Sequence, residues 1–365
     1  MEGRGVKWVG VVCATLVAAV WLCCSAMPGH GAPAQGATQA GETEVEEGIQ
    51  LTKKGRFAEA IPHFLAARGN TANEFVVEFN LALCYAGARR FAEAIVVLKP
   101  LEEKNKENAS VENLLAQALI GNSEKEEGWK AFERAARLAP QNEKLYALVA
   151  DACADQREFA LGLRVADVGL KNLPNSARLR YERGYLLALL DRVDEAKVEF
   201  ERTSELAPGS EIAAVAAAQE SYFAGDPAGV ARVGRKAVQE GKANYIVLAA
   251  LGDALLRLGA VPGQPEFAEA EGALRRAIEE KPTYASAQIV LGTLYAADKQ
   301  VEEAIAHLEK ARDLDPRNPR VYAPLGRAYR RRGEAKKANE MFAILARLNA
   351  EEAARISSSP GERIP

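Results

Sequence analysis

The chain is poor in the residue types on which most enzymes and nucleic-acid-binding proteins depend. Only three of its 365 residues are histidines, aromatic residues make up 7%, and no segment alternates apolar and polar residues as a half-buried strand does. Its 47 basic and 50 acidic residues give a formal charge of −3, whereas general nucleic-acid binding requires a strongly basic surface. The composition therefore predicts an all-α protein and argues against nucleic acid as a partner.

Residues suited to catalysis or to holding a metal or cofactor are equally scarce. His63 and His307 lie far apart in the sequence, and neither has Cys, Asp or Glu beside it at metal-ligand spacing. The acidic pairs at 126–127 and 302–303 fall at the starts of predicted helices, where carboxylates favour the helix dipole. A phosphate-binding glycine loop needs a preceding strand, and none is predicted. We therefore expect a non-enzymatic protein without a cofactor or a metal site.

Small residues, in contrast, recur at a fixed spacing. The clearest copies are Leu291-Gly292 with Tyr295 and, one period later, Leu325-Gly326 with Tyr329. Steps of about 34 residues in both directions place Gly or Ala at the eighth position of all nine units, with a short surplus near 261–265 that we interpret as a loop insertion. The predicted units start at Gly41, Phe75, Ala109, Glu143, Ala177, Glu211, Tyr245, Ala285 and Pro319.

The phase of these small residues predicts two antiparallel helices in each unit, pressed together because neither can bury its apolar face alone. The sequence pattern resembles the tetratricopeptide repeat: Leu-Gly, Tyr three residues later, then Ala304, Leu308 and Pro316 at positions 20, 24 and 32 of the unit. The resemblance covers residues 41–350 and implies an all-α, right-handed superhelical solenoid of about nine helix-turn-helix repeats. We assign residues 41–352 to the solenoid and 353–365 to a C-terminal tail.

The cysteines give no disulfide framework within the repeats. Cys84 and Cys153 fall on the first helices of the second and fourth units, with a whole helix pair between them. Helix axes lie about 8–10 Å apart, so the two Cα atoms are beyond the ~7 Å limit for a disulfide. Both are expected to be buried free thiols that serve as small apolar residues.

Residues 1–40 differ from the repeats. Arg4 and Lys7 precede an uncharged apolar run at 8–26, which is typical of a secretory signal peptide over residues 1–26, followed by a flexible linker at 27–40. A run of this length also suffices for a retained membrane anchor. Both alternatives stay open, and we expect an exported protein, periplasmic or secreted, with membrane association if the segment is retained.

The resemblance also implies where a partner binds. In tetratricopeptide arrays the first helices line a concave groove, and positions 2, 5, 9, 12 and 13 of each unit face it. The candidate groove residues are Phe79, Leu83, Asn113, Gln117, Asp151, Arg178, Tyr181, Tyr185, Gln219, Tyr222, Asp253, Arg257, Arg320, Arg327 and Arg330. Tyr and Arg often dominate binding energy, and such a groove suits a peptide or a helix of a protein partner.

Two functions of different classes follow from the resemblance. The first is a non-enzymatic scaffold or adaptor that binds a partner peptide or helix outside the cytoplasm. The alternative is a glycan-handling assembly factor of an envelope polysaccharide secretion system, since exported arrays of this kind accompany some polysaccharide exporters. The arginine run at 330–332 fits an anionic partner, but it equally fits cations placed at a helix C-terminus.

Overall fold

The computed structural model of the protein describes residues 39–358, which form 18 α-helices and no strand. The all-α prediction is confirmed. In chain order the helices are α1 Gln39–Lys53, α2 Phe57–Ala67, α3 Glu74–Gly87, α4 Phe91–Lys104, α5 Ala109–Gly121, α6 Lys125–Leu138, α7 Glu143–Asp155, α8 Phe159–Asn172, α9 Ala177–Leu189, α10 Val193–Leu206, α11 Glu211–Phe223, α12 Pro227–Gln239, α13 Tyr245–Arg257, α14 Pro265–Glu280, α15 Ala285–Ala297, α16 Val301–Leu314, α17 Pro319–Arg331 and α18 Ala335–Ser358.

In chain order, odd-numbered helices are the first and even-numbered helices the second of each repeat unit, and α1–α8 and α11–α18 form packed hairpins. The first helices begin at or within two residues of the predicted unit starts. Helix α18 continues to Ser358, past the predicted end of the repeats at residue 352. The described residues divide into two compact units, which we call the N-terminal body (39–190, α1–α9) and the C-terminal body (191–358, α10–α18).

The in-phase small residues mark the contact between the two helices of one hairpin. Four of the position-8 glycines lie against the large residue at position 24 of the same unit. A Cβ atom on Gly292 would lie 2.7 Å from Leu308 Cγ and 3.0 Å from the backbone oxygen of Ala304, both on the second helix. A Cβ atom on Gly326 would likewise lie 2.8 Å from Phe342 Cε1. Glycine at this position therefore sets how closely the paired helices pack.

The turn inside each hairpin uses the left-handed backbone conformation. Glycine adopts it in four hairpins, for example Gly55 with φ +71°. In the other five, residues with side chains adopt it: Arg89, Ser123, Arg157, Asp191 and Lys299, with φ between 60° and 68°. Such a conformation is disfavoured for residues with a Cβ, so at Arg89, Ser123, Arg157 and Lys299 the packing of the paired helices imposes the turn.

The predictions for the N-terminus fall outside the described residues. They concern the signal peptide or anchor at 1–26 and the linker at 27–40, whereas the residues that the structure describes begin at Gln39. Within residues 39–358, no helix combines the length and the apolar character that crossing a membrane requires.

Candidate functional site

The first helices of neighbouring hairpins pack directly on one another within each body. In the N-terminal body this layer consists of α1, α3, α5, α7 and α9, and in the C-terminal body of α11, α13, α15 and α17. Successive second helices within a body have no equally close contact in the described part of the chain. The first helices thus form a continuous layer in each body, which we call the inner layer. The side of this layer that faces away from the second helices is called the first-helix face.

Seven of the fifteen candidate groove residues are less than a tenth exposed. They are Phe79, Leu83, Asn113, Gln117, Tyr181, Tyr185 and Gln219. The rings of Tyr181 and Tyr185 stack on each other with centroids 6.3 Å apart. Side chains this buried pack within the array and offer a partner little surface, and contact of these seven residues with a partner stays a prediction.

Two of the buried candidates join consecutive hairpins. The Asn113 side-chain amide donates to the backbone oxygen of Leu145, on the next first helix, at 3.0 Å. The Gln117 amide donates in turn to Asn113 Oδ1 at 2.8 Å. A buried amide needs such partners, since an unsatisfied one costs about 1–3 kcal/mol. These residues therefore fix how α5 and α7 lie against each other.

The more open candidates of the N-terminal body surround a carboxylate that the sequence analysis missed. Arg178 lies between Glu182 Oε1 at 2.6 Å and Asp151 Oδ2 at 3.7 Å. Burial raises the pKa of Glu182 to about 8, Arg178 opposes this rise and Asp151 adds to it. Glu182 occupies position 6 of its unit, a position not assigned to the groove, so only the packing reveals its burial.

The more open candidates of the C-terminal body converge from three helices. Asp253 on α13 lies 3.3 Å from Arg320 Nη2 on α17 and 4.0 Å from Arg257 Nη1 on its own helix. The Arg257 guanidinium stands 5.6 Å from the ring centroid of Tyr222 on α11. Burial raises the pKa of Tyr222, while Arg320 opposes the rise, so its hydroxyl stays neutral. Arg320 reaches Asp253 across α15, on which the buried Ser286 has a small side chain.

The remaining arginines of α17 differ in their surroundings. Arg330 lies over the ring of Phe342 at 5.0 Å, and Arg331 donates to the backbone oxygen of Ala296. Arg327 is exposed, and none of the hydrogen bonds, ion pairs or ring contacts of the described residues engages it.

Helix pairing also creates a cluster that the sequence analysis did not foresee. His63 Nδ1 lies 2.7 Å from Glu44 Oε2 and 3.3 Å from Glu47 Oε2, and these three side chains offer ligand atoms close enough to hold a metal ion. The sequence shows no metal-ligand spacing around His63, and the pairing of α1 with α2 brings the two glutamates to it. Hydrogen bonding between α1 and α2 suffices to explain the cluster. His307 instead faces the amide oxygen of Gln288 at 2.7 Å.

The two cysteines of the repeats are buried free thiols, as predicted. Cys84 Sγ lies 3.1 Å from the Thr52 hydroxyl, and burial raises its pKa to about 12. Burial raises the pKa of Cys153 as well. A thiol that stays protonated is a poor nucleophile, so both cysteines serve packing.

Comparisons with known proteins point to one family. Profiles of the tetratricopeptide repeat match residues 295–358 and residues 263–319. Among solved structures, the APC/C hetero-tetramer Cut9–Hcn1 matches with a TM-score of 0.51 and 14% identity over 85% of this chain and 61% of that one. The human IFIT1 dimer with PPP-AAAA matches with a TM-score of 0.50 and 17% identity over 75% of this chain and 67% of that one.

At these identities the likeness to solved structures shows the fold alone, and the chain spans less than two thirds of the Cut9–Hcn1 chain it matches. A comparison with the curated proteins gives no match. The helix-turn-helix order of the described residues and the glycine contacts agree with the two profile matches, and the chain therefore carries tetratricopeptide repeats, matched at residues 263–358.

Proposed function

We propose that this protein is an exported, non-enzymatic scaffold whose first-helix face binds a peptide or a helix of a protein partner. Tetratricopeptide repeats support protein binding as the task. The observation that carries the proposal is the continuous inner layer of first helices in each body. At groove positions this layer presents the half-buried ring of Tyr222 and the exposed guanidinium groups of Arg257 and Arg327.

The geometry suits a long, thin ligand. Neighbouring first helices pack side by side, so the groove positions of successive units repeat at the spacing of the helices, about 8–10 Å. A ligand that runs across several helices can contact one unit after another, as helices and extended peptides do in other grooves. Tyr222 and Arg257 have the side-chain types that most often dominate binding energy.

Export is supported by the sequence of residues 1–26, with its basic start and apolar run. N-terminal sequencing of the protein recovered from its source tests this part. We expect a mature chain that begins at Met27, after cleavage behind Ala26. A mature protein that retains residue 1 and stays in the soluble cytosolic fraction would refute export and leave the binding function standing.

Site-specific photo-crosslinking in source cells tests the binding function. A photoreactive phenylalanine analogue is placed at Tyr222 or Arg257 on the first-helix face and, as a matched control, at Arg232 on the second helix α12. We expect one defined protein adduct from the first two positions and none from the control. Adducts of equal yield from all three positions, or none from any, would contradict the proposal. Recovery of polysaccharide in place of protein would favour the glycan-handling alternative.

A further inference from the structure

Charge is segregated between the two helix layers at the C-terminal end of the repeats. Helix α17 carries four arginines and no acidic residue, and α15 carries no charged residue. The second helices of the seventh and eighth hairpins, α14 and α16, carry nine acidic and four basic residues. Acidic charge thus lies on the second helices of the seventh and eighth hairpins, whereas α17 is purely basic and its partner α18 adds four basic and three acidic residues.

Part of this arginine set serves the fold. Arg331 donates a hydrogen bond to the backbone oxygen of Ala296, and Arg332 forms an ion pair with Glu334 at 2.6 Å. The guanidinium of Arg330 lies over the ring of Phe342. These contacts account for the arginine run at 330–332 as packing and end-of-helix interactions. They leave a second group of arginines, Arg257, Arg320 and Arg327, at groove positions.

This second group has more positive charge than the structure neutralises. Among the described residues, Asp253 is the one carboxylate that pairs with Arg257 and Arg320, and it lies nearer to Arg320. Arg257 keeps 43% of its side chain exposed, and Arg327 has no ion pair within residues 39–358. Two guanidinium groups at predicted groove positions, on α13 and α17, are therefore available, and each can hold a carboxylate with two parallel hydrogen bonds.

We infer that this end of the first-helix face recognises an acidic segment of a protein partner, a stretch that carries several Asp or Glu side chains. The inference rests on the proposed function and specifies the chemistry of its ligand. Carboxylates of the segment pair with Arg257 and Arg327, while Arg320 stays on Asp253 and holds the floor of the site. Tyr222 supplies an aromatic surface for the stem of the bound residue. Complementary charge of this kind raises the association rate and selects the partner.

Fluorescence anisotropy with labelled peptides tests the inference on the full chain. The probe is a dodecapeptide of alternating Glu and Ala, compared with the same peptide carrying Gln or Lys in place of Glu. We expect binding of the acidic peptide alone, weakened as NaCl rises from about 0.05 to 0.5 M because salt screens exposed charges. The double variant Arg257→Glu/Arg327→Glu should weaken binding roughly tenfold or more, since it exchanges attraction for repulsion at two contacts.

The matched control reverses two arginines of the second helices, Arg232→Glu/Arg276→Glu, which changes the net charge by the same amount. Its affinity should stay within about twofold of the parent. Equal loss in both double variants would overturn the inference, because diffuse charge would then explain the binding. The milder Arg257→Gln/Arg327→Gln variant replaces the reversal if circular dichroism shows that the latter unfolds. It should still weaken binding by about threefold or more.

Two further outcomes would overturn the inference while leaving the scaffold in place. One is retention of the protein crosslinks at Tyr222 and Arg257 with no binding of the acidic peptide. The other is preference for an alginate oligosaccharide or an oligodeoxyadenylate over the peptide at equal charge, which would assign the basic face to another class of polyanion. Loss of the crosslinks themselves would instead refute the proposed function.

Discussion

Replacing Gly292 by alanine tests whether the position-8 glycine sets the distance between paired helices. The added Cβ would lie 2.7 Å from Leu308 Cγ and 3.0 Å from the backbone oxygen of Ala304. The carbonyl cannot rotate away, so the helices must separate. Overpacking of this kind costs about 1–3 kcal/mol, against a gain of about 1 kcal/mol from the higher helix propensity of alanine. We expect the variant to be destabilised by up to about 2 kcal/mol.

Gly272 provides the matched control. It lies inside α14 of the same body, and a Cβ atom there would meet nothing within 4 Å. Gly272→Ala should therefore stabilise the protein by about 0.5–1 kcal/mol through helix propensity alone. The same substitution is thus expected to have opposite signs at two helical positions, one packed and one open.

Urea unfolding followed by circular dichroism in the far ultraviolet measures both effects. Both sites lie in the C-terminal body, so they report on the same part of the structure even if the two bodies unfold separately. A Gly292→Ala variant as stable as the parent, or stabilised as much as Gly272→Ala, would refute the close contact. Small residues at position 8 would then not set the distance between the paired helices.

Three further predictions follow from buried polar groups. The pKa of Glu182 is about 8 in the folded state against an ordinary value of 4.5, so protonated Glu182 stabilises the fold fully below pH 4.5, and this stabilisation is lost as the pH rises to about 8. Tm should fall over this range, and Glu182→Gln should make Tm less dependent on pH. Cys84 and Cys153 should resist iodoacetamide in the native protein and react after unfolding, as located by peptide mass spectrometry. Asn113→Ala should cost about 1–3 kcal/mol in urea unfolding, because Leu145 loses the hydrogen bond from α5 and the buried Gln117 amide loses its acceptor at Asn113 Oδ1; an unchanged midpoint would rule out the bond as a link between hairpins.

The sequence by itself determined the repeat, the helix pairs and the contact inside each pair. Gly292 and Leu308 belong to one repeat unit, and the period of the helix brings them together wherever the unit stands. Turn geometry follows from residue type only where glycine occurs, as at Gly55. At Arg89 and Lys299 the same left-handed conformation comes from the packing of the helices on either side.

Tertiary structure alone decided which of the predicted groove positions are exposed. Tyr185 and Arg327 both occupy positions that face the groove in the repeat, yet the first is buried and the second is exposed. The difference depends on residues far away in the sequence, as when Arg320 crosses a whole hairpin to reach Asp253. Position within a unit is a local property that the sequence encodes, whereas exposure and charge balance arise only when neighbouring hairpins stack.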